Sequence, residues 1–161
     1  MKVLKQIITQ DDIDTILLHY KDGEYDSYMK KYHGTQIDKL INYSNIYYCD
    51  RDNVHLRNIV DNIIHPNESV YAIHMLRYET GNSCKKHRDM SSLKTYIFIL
   101  TDGFTGGRLL VDDADTNAVK YDVVVFNGNI EYHEVTEITH GIRDVLVVWT
   151  NPKRNDSTYL I

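Results

Sequence analysis

The second half of the chain alternates between short apolar runs and polar turn clusters. Clusters such as TDGFTGG, DDADTN and NGN are typical of turns. The runs between them are rich in β-branched and aromatic residues, which favour strands, and they occupy 69–78, 93–100, 107–111, 121–128, 132–138 and 143–150. Because no helical pattern intervenes, this spacing predicts antiparallel sheets that close into a sandwich or a small barrel.

The first part of the chain has a mixed pattern. Residues 3–9 favour a further strand. Residues 11–20 open with acidic capping residues and repeat apolar positions at helical spacing. Residues 50–65 also open with acidic residues and repeat apolar positions at helical spacing, and this pattern ends before Pro66. We expect these two helices to pack on an outer face of the strands, whereas the Tyr-rich segment 25–48 has no pattern that assigns it.

The length and composition of the chain predict a single domain. It has 161 residues, two prolines and no Gly/Ser-rich linker, and this length is sufficient to bury a core. We expect a helical support region over 1–68 and a β core over 69–152. The spacing of the two cysteines, Cys49 and Cys84, is not that of a metal site, and we expect both thiols to be reduced. A disulfide between them is the alternative.

Composition excludes several classes of function. Hydrophobic residues make up 42% and charged residues 25%, which argues against disorder, and the net charge of −5 disfavours nonspecific nucleic-acid binding. No apolar run approaches the ~18 residues of a membrane span, and the first apolar stretch is too short for a signal peptide. We therefore expect a cytoplasmic protein. The abundance of Ile, Asn, Asp, Lys and Tyr is typical of AT-rich genomes, including viral ones.

The stretch KKHRDM, inside 78–100, interrupts two apolar runs with charge. In an extended segment, His87 and Asp89 point to the same side and can supply two ligands to one metal ion. With eight histidines and 23 acidic residues in 161 positions, about one His-x-acid pair is expected by chance. The motif alone therefore also fits a charged loop.

Two later residues extend the motif. A facial triad needs a second histidine from another strand, and His133 follows a very apolar strand and a tight turn, 46 residues after His87. Arg143, ten residues further on, opens the last strong strand. A buried charge there needs a partner, which can be an acidic cosubstrate or a local acid such as Asp144 or Glu137.

The order of these residues resembles the iron(II)- and 2-oxoglutarate-dependent dioxygenases, within them the prolyl 4-hydroxylase and collagen lysyl hydroxylase branch. The motif residues are His87-x-Asp89, His133 and Arg143, with Gly141 two positions before the arginine. LRY before the motif, FTGGRLLV, YHEV and GIRDVLVVWTNP also fit that branch. The short N-terminal portion matches no substrate-recognition element, and KYDVVVFNG lacks the glycine that often opens its strand.

The resemblance covers about residues 70 to 152 and implies a fold. That fold is a double-stranded β-helix, a jelly-roll or cupin-like barrel that would be mainly β, with about two flanking helices. It also implies Fe(II) bound by His87, Asp89 and His133.

The resemblance further implies a cosubstrate site. 2-Oxoglutarate would bind the iron through its keto acid end, and its far carboxylate would pair with Arg143. Tyr78 matches the tyrosine that lines the cosubstrate pocket in this branch, and Thr95 matches a further pocket-lining position. Tyr78 also fits an ordinary core aromatic. Three basic residues flank the predicted metal ligands: Lys85, Lys86 and Arg88. We interpret them as solvent-exposed residues at the edge of the site rather than as a binding surface for acidic substrates.

The expected reaction uses O₂, with ascorbate as a further candidate cofactor. It couples decarboxylation of 2-oxoglutarate to succinate and CO₂ with hydroxylation of a C–H bond, on a peptidyl prolyl or lysyl side chain. A free amino acid, another small molecule or a modified nucleobase are alternative substrates. A non-catalytic metal-binding β-barrel that serves as an interaction module is an alternative of another class, although such a module has no need for Arg143. The sequence indicates no oligomeric state.

Overall fold

Strands dominate the part of the chain that the structure describes. The structure is a computed structural model, and it describes residues 1–22, 24–25, 44–89 and 93–153. The helices are α1 (Gln10–Asp22) and α2 (Val54–Val60). The strands are β1 (Lys2–Leu4), β2 (Glu24–Tyr25), β3 (Asn45–Cys49), β4 (Glu68–Tyr78), β5 (Cys84–His87), β6 (Lys94–Ile99), β7 (Thr105–Gly106), β8 (Leu109–Val111), β9 (Ala114–Asp115), β10 (Val123–Phe126), β11 (His133–Val135), β12 (Ile138–His140) and β13 (Arg143–Pro152).

The strands form three antiparallel sheets. The largest has the order β1-β10-β6-β13-β4-β3-β2, the second has the order β5-β11-β8-β9, and β12 pairs with β7. The two larger sheets face each other as the walls of a double-stranded β-helix. The mainly-β barrel predicted from the sequence is therefore confirmed.

Two hydrophobic cores lie on opposite faces of the large sheet. One face packs against α1 and α2, through buried residues such as Ile13, Ile16 and Leu56. The other face packs against the second sheet, where Ile97 and Val147 meet apolar side chains of β8 and β11. The helices thus support the barrel from outside, and the barrel interior lies between the two sheets.

Both predicted helices are present, each with a local capping signal. At α1, Thr9 and Asp12 exchange hydrogen bonds between side chain and backbone, with donor–acceptor distances of 3.1 and 2.9 Å, as in a capping box. At α2, the Asn53 side chain accepts from two backbone N–H groups of the first turn. The second helix ends at Val60 and turns carry the chain to Pro66, so its predicted end at 65 was too late.

Several strand boundaries differ from the prediction. The run 132–138 is two strands in different sheets, because the chain leaves the second sheet after Val135. The first strand ends at Leu4, since Gln6 has a positive φ of 51°. In the run 107–111 the strand begins only at Leu109, because Gly107 has a positive φ of 62°, which is not a strand conformation.

The unassigned Tyr-rich segment is partly defined. It contributes β2 and β3 at the edge of the large sheet, and residues 26–43 lie outside the described residues. Cys49 and Cys84 are free thiols and form no disulfide. Neither helix in the described ranges combines the length and the apolar character needed to cross a bilayer.

A buried carboxylate joins three strands on the helix side of the large sheet. Glu68 accepts hydrogen bonds from the hydroxyls of Tyr96 at 2.6 Å and Thr150 at 2.8 Å, and its second oxygen lies 2.9 Å from Lys94 Nζ. Burial opposes the charge on Glu68, but these hydrogen bonds outweigh burial and lower its pKa. Since the folded-state pKa is depressed, the ionised carboxylate stabilises the fold above its unfolded pKa and loses that contribution as the pH falls.

Glu68→Gln is therefore expected to lower the free energy of unfolding by about 1.5–3 kcal/mol at neutral pH, because it weakens three bonds to one charged group. The difference from the wild type should shrink as the pH falls below about 4, the ordinary range of a glutamate pKa. Urea denaturation at both pH values measures this, with Glu79→Gln on the exposed surface as the matched control. An equal difference at both pH values would contradict it.

Candidate metal centre

Strand pairing brings the predicted metal ligands together. His87 ends β5 and His133 begins β11, and the two residues are direct partners in the antiparallel pairing of these strands. Asp89 follows β5, where its backbone N–H donates to the Gly128 carbonyl at 2.7 Å. Residues that are 46 positions apart in the chain thus meet at one edge of the second sheet.

The three ligand atoms converge on one point. Asp89 Oδ1 lies 3.3 Å from His133 Nε2 and 3.6 Å from His87 Nε2, and all three atoms are within 4.8 Å of one another. Ligands in adjacent positions on one metal are about 3 Å apart, given metal–ligand distances near 2.1 Å. The donor set, two imidazoles and one carboxylate, is that of a facial triad and fits Fe(II).

Each imidazole is oriented by the backbone two residues before it. His87 Nδ1 lies 2.7 Å from the Lys85 carbonyl oxygen, and His133 Nδ1 lies 3.1 Å from that of Glu131. A carbonyl accepts but cannot donate, so Nδ1 of each ring donates to it, and Nε2 is the nitrogen that faces Asp89 and would bind a metal.

The carboxylate is held from the side away from the histidines. Asp89 Oδ2 accepts from Thr95 Oγ1 at 2.7 Å and from Trp149 Nε1 at 3.1 Å, which leaves Oδ1 to face the two rings. Gly128 packs against this group, and a Cβ there would overlap the Asp89 carboxylate and the Thr95 hydroxyl. The glycine is thus required by close approach rather than by a turn alone.

The carboxylate and the imidazoles of the cluster shift each other's pKa and together favour a bound proton. Burial opposes a charged ring, but contacts with Asp89, Cys84 and the Lys85 carbonyl raise the pKa of His87 to about 10. Burial also opposes the carboxylate charge, yet hydrogen bonds from His133 and His87 lower the pKa of Asp89 well below its usual range. A bound cation would take the place of that proton, since metal ligands bind deprotonated.

Arg143 is the first residue of β13 and is buried, with 1% of its surface exposed. Its guanidinium carbon lies 5.1 Å from the centre of the Tyr78 ring, within cation–π distance. The proposed local partner Asp144 is instead bound by Arg77 through two hydrogen bonds of 2.8 Å. Among the described residues, no carboxylate forms an ion pair with Arg143, so the salt-bridge alternative is not seen.

Five of the six predicted site residues line one cavity between the two sheets. They are His87, Asp89, His133, Tyr78 and Thr95. The sixth, Arg143, lies against Tyr78 at the inner end. Burial raises the pKa of Tyr78, so its hydroxyl stays protonated. Thr95 contacts the metal-ligand carboxylate directly.

Sequence reasoning found Thr95 but missed two other residues that position Asp89, Trp149 and Gly128. Trp149 is the single tryptophan and lies six positions after Arg143 on β13. An even spacing puts both on one face of a strand, and this was the available signal. Gly128 was interpreted only as part of a tight turn, because the neighbouring sequence does not indicate its contact with Asp89.

Comparison with known proteins supports the fold. No family model and no curated protein matches the sequence. The chain is similar to the viral collagen prolyl hydroxylase of Paramecium bursaria Chlorella virus-1 in its 2-oxoglutarate complex, at 12% identity over 95% of this chain and 96% of that chain, with a TM-score of 0.66.

Two further solved structures are similar over most of their length. A prolyl hydroxylase from Trichoplax adhaerens, in complex with a peptide of hypoxia inducible factor, has 14% identity over 94% of this chain and 83% of its own, with a TM-score of 0.70. A prolyl-4-hydroxylase from Pseudomonas putida has 16% identity over 95% and 92%, with a TM-score of 0.62. The chain therefore has the double-stranded β-helix fold of prolyl hydroxylases.

Thr95→Val and Trp149→Phe are each expected to weaken divalent metal binding by about tenfold, the lower end of the range for residues that orient ligands. Each removes one hydrogen bond to Asp89 Oδ2 and frees the carboxylate to rotate. Titration with Co(II), followed by its visible absorption, measures the affinity. Thr105→Val is the matched control, because its hydroxyl pairs with exposed Thr139 far from the cluster. Unchanged affinity in both variants would contradict this role.

Proposed function

We propose that the protein is an Fe(II)- and 2-oxoglutarate-dependent dioxygenase that hydroxylates a peptidyl prolyl or lysyl side chain. The observation that carries the proposal is the convergence of His87 Nε2, His133 Nε2 and Asp89 Oδ1 at the mouth of the barrel. The buried cation Arg143 lies deeper in the same barrel without a carboxylate partner among the described residues. A ligand with a metal-binding end and an acidic end satisfies both features.

The protein's residues have separate tasks in this proposal. His87, Asp89 and His133 would hold the iron, which would supply O₂ activation coupled to the decarboxylation of 2-oxoglutarate and to hydroxylation of a C–H bond. Arg143 pairs with the far carboxylate, since a guanidinium matches a carboxylate in a two-bond geometry. Tyr78 forms the floor between these two ends.

The walls of the cavity exclude water from the reaction. Apolar side chains of both sheets line it beside the metal ligands: Ile97 and Val147 from the large sheet, and Leu109 and Val135 from the second sheet. A dry site strengthens the pairing of Arg143 with a carboxylate, because the effective dielectric constant is low. This shielding also protects a reactive centre from side reactions.

A peptide substrate is supported by two observations. The side chain of His87 is 35% exposed, so a substrate can approach the centre from outside. The similar prolyl hydroxylase from Trichoplax adhaerens was solved with a bound peptide.

Anaerobic addition of Fe(II) and then 2-oxoglutarate is expected to produce a visible charge-transfer band that requires both components. His87→Ala should abolish the band, because one of three iron ligands is lost. Arg143→Met should leave iron binding intact and weaken 2-oxoglutarate binding by about 2–5 kcal/mol, as expected for a buried charge pair. Absorption spectroscopy measures both.

Two results of this titration would argue against the proposal. Iron binding without a band would indicate a metal-binding barrel of another kind, such as a non-catalytic interaction module. Unchanged cosubstrate affinity in folded Arg143→Met would indicate that the arginine does not bind the cosubstrate.

Substrate class is tested by turnover of peptides that contain proline or lysine. The loaded enzyme is expected to release succinate and to add one oxygen atom to a peptide, as measured by mass spectrometry. Free proline and free lysine are the matched controls, and hydroxylation of a free amino acid in preference to every peptide would favour the small-molecule alternative.

A further inference from the structure

A second cavity, the rear cavity, opens at the other end of the barrel. Its volume is about 320 Å³ and its wall includes Ile99, Leu109 and Arg143. The metal-side cavity lies near the opposite ends of the same strands, where Thr95 pairs with Trp149, whereas Ile99 pairs with Val145 near Arg143. Leu109 is the one lining residue that the two cavities share.

Arg143 is the fully buried cation of the rear cavity, and its described neighbour is the Tyr78 ring rather than a carboxylate. The wall contains two other basic residues: Arg108 is paired with Asp115, and Lys120 is partly exposed to solvent. Arg143 is buried and forms no ion pair with the described residues. A buried cation that faces a cavity favours an anion there, because an uncompensated buried charge is costly.

The rest of the wall restricts the shape and polarity of such an anion. Ile99 and Leu109 are buried beside Arg143, and Phe104 and Ala118 add further apolar surface. Asp102 is an exposed carboxylate in the wall, which disfavours a ligand with several negative charges. A single carboxylate on a compact apolar body matches one buried cation among apolar side chains, and the cavity volume suits a small ligand.

We propose that the rear cavity binds a small monocarboxylate with an apolar body, whose carboxylate pairs with Arg143 from the side away from the metal centre. Arg143 lines the rear cavity and lies against Tyr78, which lines the metal-side cavity, so a ligand in either cavity can reach the guanidinium. Occupancy of the rear cavity is expected to weaken 2-oxoglutarate binding, a consequence that rests on the function proposed above. Binding of the monocarboxylate itself does not depend on a metal.

The test uses benzoate as the probe and neutral benzamide as its matched control, with the 161-residue chain in the absence of added metal. Isothermal titration calorimetry and ligand-observed NMR measure binding. Benzoate is expected to bind at least about tenfold more tightly than benzamide, and Arg143→Met should remove this preference, because the charge pair is lost. His87→Ala should leave benzoate binding unchanged.

A filling variant locates the binding site. Val119 lies in the wall of the rear cavity and is 54% exposed, so Val119→Trp should obstruct the cavity and weaken benzoate binding by about tenfold or more. Val54→Trp is the matched control, because Val54 is 65% exposed on α2 and lies outside the cavity wall. Absence of benzoate binding to the wild type, or binding that persists in Val119→Trp, would overturn the proposal.

The competition arm separates this proposal from the proposed function. Benzoate should raise the 2-oxoglutarate concentration needed for the charge-transfer band in the wild type, and not in Val119→Trp. If no band forms at all, the proposed function fails while calorimetry with benzoate still decides on the rear cavity. If the band forms and benzoate does not bind, the rear-cavity proposal alone fails.

Discussion

The carboxylate of Asp89 joins the two sheets of the barrel. One oxygen accepts hydrogen bonds from β6 and β13 of the large sheet, through Thr95 and Trp149. The other faces the histidines of β5 and β11 in the second sheet. Because both sheets must be in register for all four contacts to form, the geometry of the site depends on barrel closure. The same dependence explains why Gly128, in a loop, has no room for a side chain.

The buried charged residues fall into two groups: those paired with each other within the fold, and Arg143, which is available to a ligand. Three buried carboxylates that the structure describes have cationic partners: Glu68 with Lys94, Asp122 with Lys5, and Asp144 with Arg77. These pairs fasten neighbouring strands or the N-terminal segment to the barrel. Arg143 differs from them, because an aromatic ring and cavity space surround it in place of a carboxylate. An anionic ligand is therefore the natural partner of this residue.

Local patterns predicted the strands well where packing alone decides them. The long strands β4 and β13 were found within two residues of their ends. β13 is buried along most of its length, and the first half of β4 alternates buried and exposed positions, so both give a clear strand pattern. The errors fall where backbone conformation changes. The run 132–138 keeps its apolar character while the chain changes sheets, and the two-residue strands β7 and β9 are too short to leave a pattern.

Sequence alone was sufficient for the order of the motif: His87 and Asp89 two positions apart, His133 after an apolar strand, and Arg143 at the start of the last one. These features are local, because residue type and strand parity decide which side chains share a face. The acceptors behind each imidazole, the donors to Asp89 and the cavity beside Arg143 were decided by tertiary structure. They depend on the distance between residues on different strands, and strand register is a property of the closed barrel rather than of any one segment.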